Sequence, residues 1–186
     1  MTTDVRAARA DEAGAIGGLL ADAFFDDPIQ VWILPDPATR LAIGTEIFTA
    51  IATGAFAADR DVYVTDALSA VSIWAAPGTY TYEEPLGLPP AVSAAFARIW
   101  ASHPKAPHQY LEFNGVRRAA QGHGHGSAVL GPGLASADAA GAPSALWTGH
   151  DRNLDFYGTY GYRVLERLDF PPGPSAWWLW RDTATS

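Results

Sequence analysis

The chain has 186 residues, 12 Lys and Arg against 20 Asp and Glu, and a net charge of −8; with 48% hydrophobic and 17% charged residues it has the composition of one globular domain. It contains no cysteine, which excludes a disulfide scaffold, a thiolate metal site and a cysteine nucleophile, and its acidic balance speaks against general nucleic-acid binding. No apolar run reaches the ~18 residues of a membrane span, and the opening Met1-Thr2-Thr3-Asp4 lacks the basic and apolar regions of a signal peptide, so a cytoplasmic protein with no membrane or nucleic-acid partner is expected.

The stretch Asp4–Arg9 alternates weakly and reads as a short strand. Asp11 and Glu12 sit where a helix favours negative charge, and Ile16, Leu19, Leu20, Ala23 and Phe24 continue at helical spacing until Pro28 ends the run. Pro35 and Pro37 suit the entry to a second helix over about 38–57. Residues 61–65 and 70–75 are β-branched and aromatic with a four-residue gap, the pattern of a hairpin. A proline-rich loop at 78–90 leads to a helix at about 91–102, a strand over 108–116 and a helix over 124–140. A strand at 143–149, a short helix at 153–160 and two strands at 162–169 and 175–181 follow. Hairpins interleaved with βα units predict an α/β fold on a mixed sheet. The whole of 1–186 reads as a single domain, with a flexible tail at 183–186.

The most informative segment is Gln121-Gly122-His123-Gly124-His125-Gly126-Ser127, which follows a strand and opens a helix. Alternate glycines remove Cβ atoms where a backbone must curl around something bulky, and free N–H groups at a helix N-terminus attract phosphate. The spacing is not that of a dinucleotide fingerprint or of a Walker loop, which require Gly-x-Gly-x-x-Gly in a first βα unit or a Gly-Lys-Ser/Thr ending.

Gln121-x-x-Gly124-x-Gly126 resembles the pyrophosphate-binding signature of the GNAT acyl-CoA-dependent N-acetyltransferases. Asn153-Leu154-Asp155-Phe156-Tyr157-Gly158-Thr159-Tyr160-Gly161-Tyr162 resembles the same family's segment after its fifth strand. More loosely, Asp26-Asp27-Pro28, the Val71–Pro77 strand and the Pro-Gly-Pro before Trp177 are similar to puromycin N-acetyltransferase-like actinobacterial members. The resemblance implies a GNAT fold: a mostly antiparallel sheet of 6–7 strands, helices on both faces, and a splay between strands four and five. It implies acetyl-CoA as co-substrate, no metal, a small-molecule amine as acceptor, and a monomer or homodimer.

Carried onto this sequence, the resemblance places the CoA pyrophosphate on the N–H groups of Gly122, Gly124, Gly126 and Ser127, and the pantetheine arm against Val116 and Arg118 and beside Asn153. Tyr157 becomes the acid that protonates the departing thiolate. Glu112 is the candidate base, on one face with Tyr110 and Asn114 by period-two alternation. Asp26, Asp27 and Trp147 border the expected acceptor pocket. His123 and His125 depart from the family, which more often carries Arg or Lys there; Arg117 and Arg118 are the candidate sources of fixed charge. A His-x-His pair with no third ligand is poor zinc spacing. Two other uses of the fold stay open: an acyl-CoA-binding or regulatory module without turnover, and an acyltransferase acting on a biosynthetic or protein substrate.

Overall fold

The computed structural model describes residues 3–82 and 87–183. Residues 83–86 of the proline-rich loop and 184–186 of the expected tail lie outside the described residues.

Seven strands form one sheet in the order β1 (Val5–Ala7), β2 (Asp61–Thr65), β3 (Ala70–Ala75), β4 (Gln109–Val116), β5 (Ser144–Thr148), β7 (Ser175–Arg181) and β6 (Arg163–Asp169). Every neighbouring pair is antiparallel except β4 and β5, which run parallel and pair only at Gln109 with Ser144 and Tyr110 with Ala145. Beyond those two rungs both strands continue without each other, and the sheet opens into a V. Backbone groups along the V lack a sheet partner, so the opening is suited to a ligand that supplies one.

Helices α1 (Ala13–Ala23) and α3 (Pro37–Ala57) bury Ile16, Leu19, Leu20, Phe48 and Ala52 against Val62, Val64, Val71 and Ile73. Helix α5 (His125–Ala139) packs Leu130 and Leu134 with Trp74, Leu111, Leu146 and Leu179, and α4 (Pro90–Ala101) packs Ala95 and Ile99 with Tyr110 and Trp178. Complete burial of one such side chain contributes roughly 1.5–3 kcal/mol. A polar rivet adds direction: the buried Ser72 hydroxyl donates to the Val129 carbonyl of α5 at 2.6 Å and accepts from Trp74 Nε1 at 3.1 Å. The helix whose N-terminus follows the glycine loop is thereby fixed to the sheet's centre.

Two local readings of the sequence need correction. Pro28 does not simply end a helix: α1 stops at Ala23, and Pro28 is the first residue of α2 (Pro28–Ile33), with Asp27 as its cap. Proline fits at that position because a first-turn N–H has no intrahelical partner to lose. Period-two alternation also fails along β4. The register shifts between Ile73 and Trp74, whose partners are Phe113 and Leu111, leaving Glu112 as an unpaired bulge residue. Leu111 therefore joins Trp74 and Leu130, whereas Phe113 meets Phe24 and Phe48 on the other face. Glu112 thus has no cross-strand partner, whereas Asn114 pairs with Ser72.

Candidate functional site

Between β4 and α5 the chain makes a short 3-10 turn, Arg118–Ala120, and enters the glycine loop. Gly122 (φ +79°) and Gly124 (φ +82°) are left-handed, a conformation that strains any side chain, and Gly124 caps α5 with no side-chain bond. The Gln121 amide donates to the Val116 carbonyl at 3.2 Å, closing the loop's base. Among the described residues, no protein acceptor meets the backbone N–H groups of Gly122 through Ser127; the first amide so engaged is that of Ala128, which bonds Gly124. Five of these six residues, Gly122, Gly124, His125, Gly126 and Ser127, line one cavity of about 510 Å³ at the positive end of a 15-residue helix.

Cavity volume and chemistry agree with a diphosphate and its linear arm. A Cβ on Gly126 would lie 3.3 Å from Val116 Cγ2 and 3.8 Å from Phe156 Cζ, in the floor of this cavity. A side chain at Gly126 would therefore crowd the floor and narrow the cavity. At the apex of the V, Tyr157 is buried, and burial raises its hydroxyl well above the ordinary phenol value. The Asn114 amide faces that hydroxyl as a donor, while Asn114 Oδ1 is buried without a partner among the described residues. An orphaned acceptor next to a protonated phenol is what a site awaiting an N–H group would contain.

A second, apolar cavity of about 280 Å³ opens on the other side of the apex. Phe24, Asp27, Asn114, Asn153 and Tyr157 line both, so the two spaces meet there. Asn153 is held by donating to Thr148 Oγ1 at 2.9 Å, across the end of β5. Asp27 caps α2 by accepting from Ile29 N at 2.9 Å and Gln30 N at 3.4 Å; burial raises its carboxyl, and these amide bonds oppose the rise. Glu112 also lines the apolar cavity, tied to the Arg60 guanidinium and facing the Tyr80 hydroxyl. Burial raises its carboxyl, with Arg60 acting against it. Trp147 lines the same cavity, edge-on to Phe96 at 5.9 Å.

The structure brings together Val116, Gln121, Gly122, Gly124, His125, Gly126, Ser127, Asn153 and Tyr157 around the first cavity, and Asp27, Glu112, Asn114 and Trp147 around the second. Others it moves away. Arg117 donates to the Leu68 carbonyl at 3.0 Å, and Arg118 gives its backbone N–H to Asp22 at 2.9 Å and its guanidinium to Asp22 and Asp26. Neither arginine supplies charge to the cavity, and the Arg118 amide is not free for a ligand. Asp26 is exposed and committed to Arg118 instead of the acceptor space. Tyr110 is core, against Tyr80, Trp100 and Trp178. The His123 ring turns back, its Nδ1 2.9 Å from the Gln121 carbonyl.

One residue sequence reasoning missed is Arg152, the first residue of α6 (Arg152–Gly158), which lines the first cavity. Its guanidinium makes no hydrogen bond or ion pair among the described residues. The available signal was its position directly before Asn153. Among the described residues no cluster of three or more His, Asp or Glu could hold a metal ion, and no helix is long and apolar enough to cross a membrane.

No protein-family model matches the chain. Solved structures do. A protein of Corynebacterium glutamicum ATCC 13032, described as histone acetyltransferase HPA2 and related acetyltransferase, is 22% identical with a TM-score of 0.76, covering 100% of this chain and 99% of that one. The C-terminal condensation domain of Ebony, in complex with β-alanyl-dopamine, is 11% identical at a TM-score of 0.69, covering 98% and 100%. The protein yncA of Salmonella typhimurium, solved with acetyl-CoA as its cofactor, is 12% identical at 0.61, covering 100% and 96%. At these identities the likeness defines architecture: the chain has the fold of the GNAT N-acetyltransferases.

Proposed function

We propose that this protein is an acyl-CoA-dependent N-acyltransferase that moves an acetyl group to the primary amine of a small molecule, such as an antibiotic or natural-product amine. The observation that carries this reading is the meeting of two chemically different cavities at Asn114, Asn153 and Tyr157, one rich in free amides and one apolar. The acetyl-CoA bound to the Salmonella neighbour supports the choice of co-substrate. Bound acetyl-CoA would bring an activated thioester to the apex.

The amides of Gly122–Ser127 and the guanidinium of Arg152 hold the diphosphate, and the open β4 edge takes the arm. Residues at the apex then serve the transfer. Attack requires a neutral amine, and Glu112 is the base, directly or through water; burial raises its carboxyl and so makes it a better proton acceptor than an exposed one. As the new C–N bond forms and the C–S bond breaks, Tyr157 gives its proton to the departing sulfur. Burial keeps that proton in place beforehand. With no cysteine in the chain, transfer within a ternary complex needs no thiol relay. The test is thiol release from acetyl-CoA across a panel of amines; no release with any amine, from protein that binds CoA, would leave only a binding module.

A further inference from the structure

We infer that the acceptor is an aromatic or otherwise apolar monoamine, whose body fills the second cavity and whose nitrogen is received by Asn114 Oδ1. This rests on the acyltransferase reading and narrows it. Three observations carry it.

The cavity wall is apolar: Ile33, Ile47, Phe48, Ile51, Phe96 and Trp147 come from four different elements and face one space. A polyamine or an aminosugar entering it would strand ammonium or hydroxyl groups against hydrocarbon, which is unfavourable without a partner. The wall's apolar character also continues outward, where Ile43 and Ile47, one turn apart on α3, are 39% and 40% exposed at the surface. A flat ring is the solute such a lining favours.

Several polar groups of the wall are already engaged. Thr148 Oγ1 accepts from Asn153 at 2.9 Å and from His150 N at 3.3 Å, and Glu112 is tied to Arg60. Asp27 uses Oδ1 for the α2 amides, which leaves its second oxygen able to receive one ammonium at the meeting of the cavities. Asn114 Oδ1 has no partner at all among the described residues. One charge-bearing oxygen and one orphaned acceptor match one amine.

The amine sits where transfer needs it. Asn114 lines both cavities and its amide faces Tyr157, so one side chain stands between the nucleophile and the acid. The ammonium first gives one proton through Glu112 or a water beside it to solvent; the neutral nitrogen then forms the C–N bond as the C–S bond breaks, the sulfur takes the proton of Tyr157, and the second nitrogen proton returns through water to the Tyr157 oxygen, so that one proton is released per turnover.

The experiment compares 2-phenylethylamine and tryptamine with spermidine, kanamycin and a tripeptide as acceptors, in wild type and in Ile47→Glu, with CoA titrated calorimetrically into both proteins. Aryl amines are expected to exceed spermidine by about 30-fold in kcat/KM, the value of burying one ring. Ile47→Glu should raise KM for 2-phenylethylamine about tenfold, with kcat and CoA affinity unchanged. Preference of wild type for spermidine, or an unchanged KM for 2-phenylethylamine in the variant, would overturn the inference while CoA binding preserved the acyltransferase reading. Faster turnover with octanoyl-CoA than with acetyl-CoA would also overturn it, by assigning the apolar cavity to the acyl chain. Failure of CoA to bind wild type would defeat both readings together.

Discussion

Replacing Tyr157 with Phe removes one oxygen from the apex and little else. The ring packs edge-on to Phe156 and Tyr162 at 5.0 and 5.7 Å, contacts that phenylalanine keeps. The stability cost is the loss of the hydroxyl facing Asn114, about 0.5–1.5 kcal/mol. The catalytic cost is larger. A positioned general acid contributes roughly 10²–10⁴ in rate, and a thiolate, with a conjugate pKa near 8.5, is a weak enough base to place the effect near the lower limit. We therefore expect kcat to fall about 100-fold, or about 2.7 kcal/mol in the barrier, with KM for acetyl-CoA nearly unchanged. Burial adds a pH signature. Because it disfavours the phenolate, the wild-type hydroxyl stays protonated well above its ordinary 10, so no loss of activity below pH 10 should arise from Tyr157. The assay is steady-state thiol release at saturating acetyl-CoA from pH 6 to 10. A variant kcat within about threefold of wild type would refute the acid role.

Arg152→Ala should weaken CoA about tenfold, the loss of one charge-assisted contact to phosphate, while Arg117→Ala should not, since that side chain is spent on the Leu68 carbonyl; equal calorimetric effects would contradict the geometry. Ser72→Ala orphans the Trp74 indole N–H at the α5–β3 junction and should cost about 2 kcal/mol, read as a fall of roughly 4–8 °C in Tm; an unchanged Tm would show that the rivet is dispensable. Glu12 is held down to about 2 from an ordinary 4.5, chiefly by the Arg6 guanidinium and then by the Arg9 amide. A carboxylate depressed on folding stabilises above its unfolded value and loses that contribution as pH falls through its folded one, so Glu12→Gln should flatten the drop of Tm between about pH 4.5 and 2; parallel curves would contradict this.

The elements with local signatures were legible. The hairpin of β2 and β3 and the glycine loop before α5 follow from short-range chemistry: β-branched runs, a short gap, alternate glycines. Pro28 was ambiguous because proline both ends helices and begins them, and only Asp27 reaching the Ile29 amide decides which. The β4 bulge has no signal in one strand, since it depends on how Ile73 and Trp74 pair with Phe113 and Leu111. The loop's partners in space were equally hidden. Arg117 and Arg118 stand next to the loop in sequence yet belong to Leu68 and Asp22, whereas Arg152, far along the chain, reaches the cavity. The apolar wall of the second cavity, assembled from α2, α3, α4 and β5, lies beyond any local pattern.

The central claim is that the amides of Gly122–Ser127 receive a diphosphate. Calorimetric titration of the full chain with CoA and with pantetheine, which has the arm but not the diphosphate, separates that contact from all others. A diphosphate-binding loop predicts micromolar CoA and at least about 30-fold weaker pantetheine, about 2 kcal/mol. Equal affinity for the two, or no heat with either, would contradict it.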